Sequence, residues 1–223
     1  MSPRDGLRGV LFDLDGTLLD TAPDMAGALN QLLADEGMAA LPYEHIRPHV
    51  SQGALRLVQL AFGDPDASRI EGLRRRFLDF YRAGIATHTR MFHGFELVLN
   101  TLEAAGLRWG IVTNKPAWLT MPLLEVLGLA ARSGCVVSGD TLHERKPHPM
   151  QLLHAAQLLG LEPVQCVYLG DAERDVQAAR NAGMIPLVAG FGYLGAGENP
   201  SSWRPDAIIG RPTDLLEWLG LRA

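Results

Sequence analysis

Apolar positions along the chain follow two rhythms, and the rhythm changes near residues 18 and 90. Gly9–Leu14 is a short apolar run closing on Asp13-Leu14-Asp15-Gly16-Thr17, which predicts a buried strand running into a tight turn. From there to about Thr89, apolar residues recur at three- and four-residue spacing in Met25–Leu33, Leu55–Phe62 and Leu73–Ile85. Gly37, Pro42, Gly53, Gly63 and Pro65 punctuate these stretches, so the segment reads as helices without a strand. After Phe92-His93-Gly94 the pattern alternates. Helices at Phe95–Ala105, Trp118–Leu127, Met150–Leu159 and Asp175–Ala182 interleave with strands at Trp109–Thr113, Cys135–Ser138, Cys166–Leu169 and Pro186–Ala189. A last strand at Ala207–Ile209 and a closing helix at Thr213–Leu219 complete the prediction.

Strands alternating with helices of this length pair in parallel through helical crossovers. The expected fold class is therefore α/β, a doubly wound, Rossmann-like parallel sheet. The helical stretch interrupts that sheet after its first strand and reads as an inserted α-helical cap. This divides the chain into a core of residues 1–17 and 90–223 and a cap of residues 18–89.

Composition narrows the function classes. A formal charge of −5 lacks the basic face that broad nucleic-acid binding needs. No apolar run reaches membrane-span length, and Met1-Ser2-Pro3-Arg4-Asp5 has no signal-peptide core. Cys135 and Cys166 each sit in an apolar run, as buried thiols of a reducing compartment do. The expectation is a cytoplasmic monomer or homodimer acting on a small molecule. The seven histidines show no zinc-ligand spacing.

Open parallel sheets bind ligands at the carboxyl ends of their strands. Asp13 and Asp15 follow the first strand, Thr113 and Asn114 the second, Lys146 the third, and Asp171 the fourth, with Asp175 one helical turn later. Clustered carboxylates repel one another unless a hard cation neutralises them, and Mg²⁺ suits a few carboxylates plus water and phosphate oxygens. A hydroxyl and a lysine complement phosphate oxygens. A carboxylate beside the metal can act as nucleophile. Lys115 and Arg174 read as surface or rim charges.

Leu11-Phe12-Asp13-Leu14-Asp15-Gly16-Thr17, then Thr113, Lys146, and Gly170-Asp171 to Asp175 resemble, in order, the four motifs of the haloacid-dehalogenase-like hydrolases. The resemblance spans essentially the whole chain and implies a phosphatase. By it, Asp13 attacks phosphorus to form an aspartyl phosphate, and Asp15 is the general acid–base. Thr113, Asn114 and Lys146 hold the phosphoryl group. Mg²⁺ sits on Asp13, the backbone carbonyl of Asp15, and Asp171, while Asp175 bonds a metal water or orients Lys146. True dehalogenases lack an acid at the position of Asp15 and need no metal.

The substrate is expected to meet the turn Ser51-Gln52-Gly53, Arg56 just beyond it, and His88 and Arg90 where the cap returns to the core. Within the family the chain resembles the phosphoglycolate-phosphatase group. It is most similar to a branch acting on N-acetylmuramic acid 6-phosphate, through His88–Phe92, Val112–Pro116 and the late segment from Phe191 to Trp203. Gln52 departs from the paired glycines usual in that branch. The leading expectation is therefore N-acetylmuramic acid 6-phosphate, with 2-phosphoglycolate as the alternative. More distant alternatives are a β-phosphoglucomutase-type phosphotransferase, a non-catalytic phosphate-binding module and an acidic receiver domain. The receiver lacks a cap insertion, and the full acid set speaks against a binding module.

Overall fold

The computed structural model describes residues 6–195 and 197–222. Residues 1–5, assigned above to the start of the core, lie outside the described residues, as do Ala196 of the late segment and Ala223. Six strands form one parallel sheet: β1 (Gly9–Phe12), β4 (Arg108–Val112), β5 (Val136–Val137), β6 (Cys166–Gly170), β7 (Ile185–Ala189) and β8 (Ala207–Ile209). Their order is β5-β4-β1-β6-β7-β8. After β5 the chain crosses back to the other side of β1, so β1 lies at the switch between the two windings, with β4 and β6 as parallel neighbours. The doubly wound α/β reading is correct.

Both faces of the sheet are covered, which is why its strands read as unbroken apolar runs. Side chains alternate between the faces with the two-residue strand period. Val10, Phe12, Val167 and Leu169 join one cluster with residues of helices α5 (Phe95–Ala104), α6 (Ala117–Val126) and α9 (Asp214–Leu219). Leu11, Cys166 and Tyr168 join the opposite cluster with α7 (Met150–Leu158) and α8 (Glu173–Asn181). Both cysteines are buried and unbridged.

Between β1 and β4 the chain forms α1 (Ala22–Asp35), a short α2 (Tyr43–Ile46), a 3₁₀ turn at Arg47–Gln52, α3 (Ala54–Phe62) and α4 (Ala67–Ala83). Asp66 starts α4 by accepting hydrogen bonds from the Ser68 and Arg69 amides at 3.1 and 3.0 Å. Leu73, Phe77 and Tyr81 then recur at four-residue spacing and are buried against α1, which supplies Met25, Leu29 and Leu32. Each such side chain stabilises by roughly 1.5–3 kcal/mol. Leu119 and Tyr193 extend this cluster from the core side.

One element of the sequence reading needs correction. The segment 18–89 was expected to hold no strand, yet Leu19–Asp20 forms β2 and pairs antiparallel with β3 (Arg90–Met91). Two residues are too short to show the alternation that marks a strand. This small ribbon ties together both ends of the helical insertion. Buried Asp24 reinforces it: its carboxylate accepts from the His88 amide (2.8 Å), the Thr89 amide (2.9 Å) and the Thr89 hydroxyl (2.7 Å). Asp24→Ala leaves those donors unpaired and is expected to cost about 2–4 kcal/mol. A fall in the urea midpoint at unchanged m-value checks this; an unmoved midpoint contradicts it. Among the described residues no helix is long and apolar enough to cross a membrane.

Candidate active site

The carboxyl ends of β1 and β4 and the start of α8 line one cleft of about 380 Å³ under the helical insertion. Asp13 follows β1 directly; its amide donates to the Leu169 carbonyl (2.9 Å), and its Oδ1 accepts from the Leu14 amide (2.7 Å). The turn then approaches Asp171 so closely that a Cβ on Gly16 would lie 2.1 Å from Asp171 Oδ2. Gly16 also has φ +82°, so glycine is required twice over.

Lys146 is fully buried, and its ammonium lies 2.9 Å from Asp13 Oδ1 and 2.8 Å from Asp175 Oδ1. It also donates to the Tyr168 hydroxyl (2.7 Å) and the Val112 carbonyl (3.2 Å). Its backbone is clamped from below: Asn114 Nδ2 donates to the Lys146 carbonyl (3.0 Å), and the Lys146 amide donates to Asn114 Oδ1 (3.2 Å) and Gln151 Oε1 (3.1 Å). Asn114 was expected to bind phosphate; its side chain makes this clamp, and the residue lines the cleft. Tyr168 was not anticipated. Its one sequence signal is a polar-tipped side chain in an otherwise apolar strand, two residues before Gly170-Asp171.

Carboxylate oxygens of Asp13, Asp171 and Asp175 lie within 4.8 Å of one another, all three residues being buried. Asp171 Oδ2 accepts from the Ser51 hydroxyl (2.6 Å) and the Tyr193 amide (2.9 Å), while buried Oδ1 has no protein partner. Burial, followed by the negative charges of Asp13 and Asp175, pushes the Asp171 carboxyl up to about 7. Burial also raises Asp13, opposed by the Lys146 cation. Asp175 goes the other way: despite its burial, the Lys146 and Arg174 cations hold it below the ordinary carboxylate value. An orphaned buried oxygen in a cluster of repelling carboxylates is the donor set of a hard divalent cation, so a metal such as Mg²⁺ fits these residues.

The Asp15 carboxylate is turned out of this cluster. Its Oδ1 accepts from the Thr21 hydroxyl (2.7 Å) and from Lys115 Nζ (2.9 Å), with Oδ2 at 3.2 Å from the same ammonium. Lys115 is therefore no surface charge: its side chain is 5% exposed and its ammonium sits 4.5 Å above the Tyr81 ring. Buried Thr113 accepts the Lys115 amide on its hydroxyl (3.1 Å) and lines the cleft. Arg174 is likewise no free rim charge, since it donates to the Ser51 carbonyl (2.6 Å) and lines the same cleft.

Ser51, Gln52 and Gly53 line the cleft, as the turn was expected to do. Arg56 is exposed and does not. Nor do His88 and Arg90. His88 borders a separate surface hollow with Pro23 and Gln31, and the Arg90 guanidinium donates to the Ala86, Thr87 and Thr89 carbonyls. Arg90 lies in β3 and His88 two residues before it, and both are exposed. Tyr193 of the late segment is buried where core and insertion meet. Its hydroxyl donates to Asp20 (2.7 Å) and accepts the Ala22 amide (2.9 Å), and Arg47 stacks on its ring.

The family model for "haloacid dehalogenase-like hydrolase" matches residues 10–189, the span that carries Asp13, Asp15, Thr113, Lys146, Asp171 and Asp175. The chain belongs to the haloacid dehalogenase-like hydrolases. Within that family it is a phosphatase, a phosphoric monoester hydrolase. A phosphoglycolate phosphatase of Xylella fastidiosa is 48% identical over 205 residues, covering 92% of this chain and 90% of that one. An N-acetylmuramic acid 6-phosphate phosphatase of Pseudomonas putida is 39% identical over 210 residues, covering 94% of each. The crystal structure of a predicted phosphoglycolate phosphatase from Haemophilus somnus superposes with a TM-score of 0.85 at 27% identity, over 96% of this chain and 98% of that one.

Proposed function

We propose that this haloacid dehalogenase-like hydrolase is a Mg²⁺-dependent phosphomonoesterase working through an aspartyl phosphate. The observation that carries the reading is the meeting of buried Lys146, Asp171 and Asp175 with Asp13, which lines the cleft. Asp13, the Asp15 backbone carbonyl and Asp171 would hold the cation, which supplies charge neutralisation for the phosphoryl oxygens. An Asp13 carboxylate oxygen bonds to phosphorus as the ester P–O bond breaks, and Asp15 gives the leaving alkoxide its proton. Water then attacks phosphorus, its proton passes to Asp15, and Asp13 is released as carboxylate with free phosphate. Lys146 and Thr113 hold the phosphoryl oxygens, and Asp175 with Tyr168 keeps the Lys146 ammonium in place. Residues 18–89 act as a cap over the core of residues 1–17 and 90–223, excluding water from the reacting centre.

The substrate we favour is N-acetylmuramic acid 6-phosphate. Asn114 and Arg145 line both the cleft and a neighbouring groove of about 540 Å³ between α4 and the loop after β5, a size that suits a phosphorylated amino sugar. The Pseudomonas putida relative bears that activity in its name. 2-Phosphoglycolate is the second reading, favoured by the name of the 48% identical Xylella relative. A kcat/KM for the amino sugar at least about tenfold above that for 2-phosphoglycolate, some 1.4 kcal/mol at the transition state, is expected from its larger contact area. The reverse order, measured with both esters at saturating Mg²⁺, overturns this choice in favour of the second reading. Arg90 is not a useful probe of the choice, because its guanidinium is engaged on the ribbon rather than in the cleft.

A further inference from the structure

Tyr81 is a fully buried residue of α4 that lines the cleft, and its hydroxyl lies beside the Lys115 ammonium but donates to no acceptor. A buried O–H donor left unpaired costs free energy that a bound acceptor recovers. Beneath it lies Lys115, whose ammonium has three N–H groups. Oxygens of Asp15 stand 2.9 and 3.2 Å from that nitrogen, and Tyr81 lies against it with its ring at 4.5 Å and its hydroxyl alongside. One O–H donor from the cap and one ammonium from the core thus line the cleft together, on the Asp15 side of Asp13. That is the side from which the leaving alcohol would be protonated. The phosphoryl group, held by Lys146 and Thr113, has no need of either donor.

We propose that Tyr81 and Lys115 form a subsite for a carboxylate carried by the alcohol portion of the substrate. This rests on the phosphatase reading and extends it to specificity. Two convergent donors, one of them cationic, match the two oxygens of a carboxylate, which a neutral alcohol cannot satisfy. A site built to hydrogen-bond a group discriminates strongly against the analogue lacking it, because the buried donors are then left unpaired. Burial raises the Tyr81 hydroxyl above its ordinary pKa, so at neutral pH it is protonated and able to donate. Both donors come from different parts of the chain, so the subsite is complete only with the helical insertion packed on the core. Carboxylate binding would therefore favour that packed arrangement.

The test compares matched ester pairs: 2-phosphoglycolate with ethyl phosphate, and N-acetylmuramic acid 6-phosphate with N-acetylglucosamine 6-phosphate. In each pair only the first member carries a carboxylate. Tyr81→Phe removes one oxygen and keeps the packed ring. On the carboxylated member of the better pair, this variant is expected to lose about 10- to 100-fold in kcat/KM, mostly through KM. The carboxylate-free member should change less than about twofold, the spread expected of a change outside its contacts. Lys115→Arg should retain more of the preference than Lys115→Met. Equal loss on both members, or no loss on either, overturns the subsite. So does a parent enzyme without preference for the carboxylated member of either pair. Turnover of p-nitrophenyl phosphate by the parent keeps these outcomes distinct: its absence at saturating Mg²⁺ defeats the phosphatase reading, whereas its presence with unselective pairs defeats the subsite alone.

Discussion

Asp13→Asn is expected to lower kcat by at least about 10⁴-fold, the scale on which losing a covalent nucleophile acts. The amide keeps the carboxylate's shape, and its oxygen can still accept the Leu14 amide that Asp13 Oδ1 accepts at 2.7 Å. As a nucleophile it is inert, because its oxygen carries no charge to donate to phosphorus. The fold should survive. Lys146 keeps Asp175 at 2.8 Å, Tyr168 at 2.7 Å and the Val112 carbonyl, so the buried ammonium is not stranded. Removing one negative charge also relieves the repulsion that raises Asp171. The variant should therefore melt within a few degrees of the parent while turning over neither p-nitrophenyl phosphate nor a sugar phosphate. Several per cent of residual turnover, once mass spectrometry has excluded deamidation back to Asp, would remove the covalent step from the mechanism.

The acids of this site were legible in the sequence because each follows, directly or within one helical turn, a strand that can be recognised from apolar runs. Asp13 after β1, Asp171 after β6 and Asp175 one turn later need only the rule that parallel sheets present their carboxyl ends. The walls were not legible. Asp15 and Lys115 meet across a separation of 100 residues, and Tyr81 reaches them from a helix whose spacing reveals that it is buried but not what it faces. Lys115 and Arg174 read as rim charges for the same reason: Tyr81 and Ser51, which cover them, come from the insertion, whose packing local pattern does not encode. His88 and Arg90 were misplaced by a related route. Knowing that the cap returns to the core near residue 90 does not reveal that a two-residue ribbon, pinned by Asp24, forms there with both residues exposed. Tyr168 was hidden in plain sight, since a tyrosine in a buried strand looks apolar until its hydroxyl is seen to meet Lys146.

Metal removal should have the other large effect, and its pH dependence follows from Asp171. In the metal-free fold this carboxyl is raised from 3.8 to about 7, so between those values the folded chain holds a proton that the unfolded chain has released. Stability from that proton is present below about pH 4 and is lost as pH rises through about 7. Above that, the metal-free protein carries repelling carboxylates with an orphaned Asp171 Oδ1 among them. A divalent cation needs the deprotonated cluster and relieves its repulsion, so binding should strengthen as pH rises. At about a hundredfold excess over Kd, binding stabilises by about 2.7 kcal/mol. For a chain of this size that corresponds to a rise in Tm of roughly 5–10 °C. We expect Mg²⁺ to raise the Tm of chelator-treated protein in that range at pH 8 and by much less at pH 5.5. Chelation should abolish turnover, Mg²⁺ should restore it, and Ca²⁺ should inhibit, because its larger and looser ligand shell misplaces Asp13. Calorimetry separates binding from turnover. A Tm shift equal at both pH values would detach the cation from Asp171, and full activity in the chelated protein would remove it from the reaction.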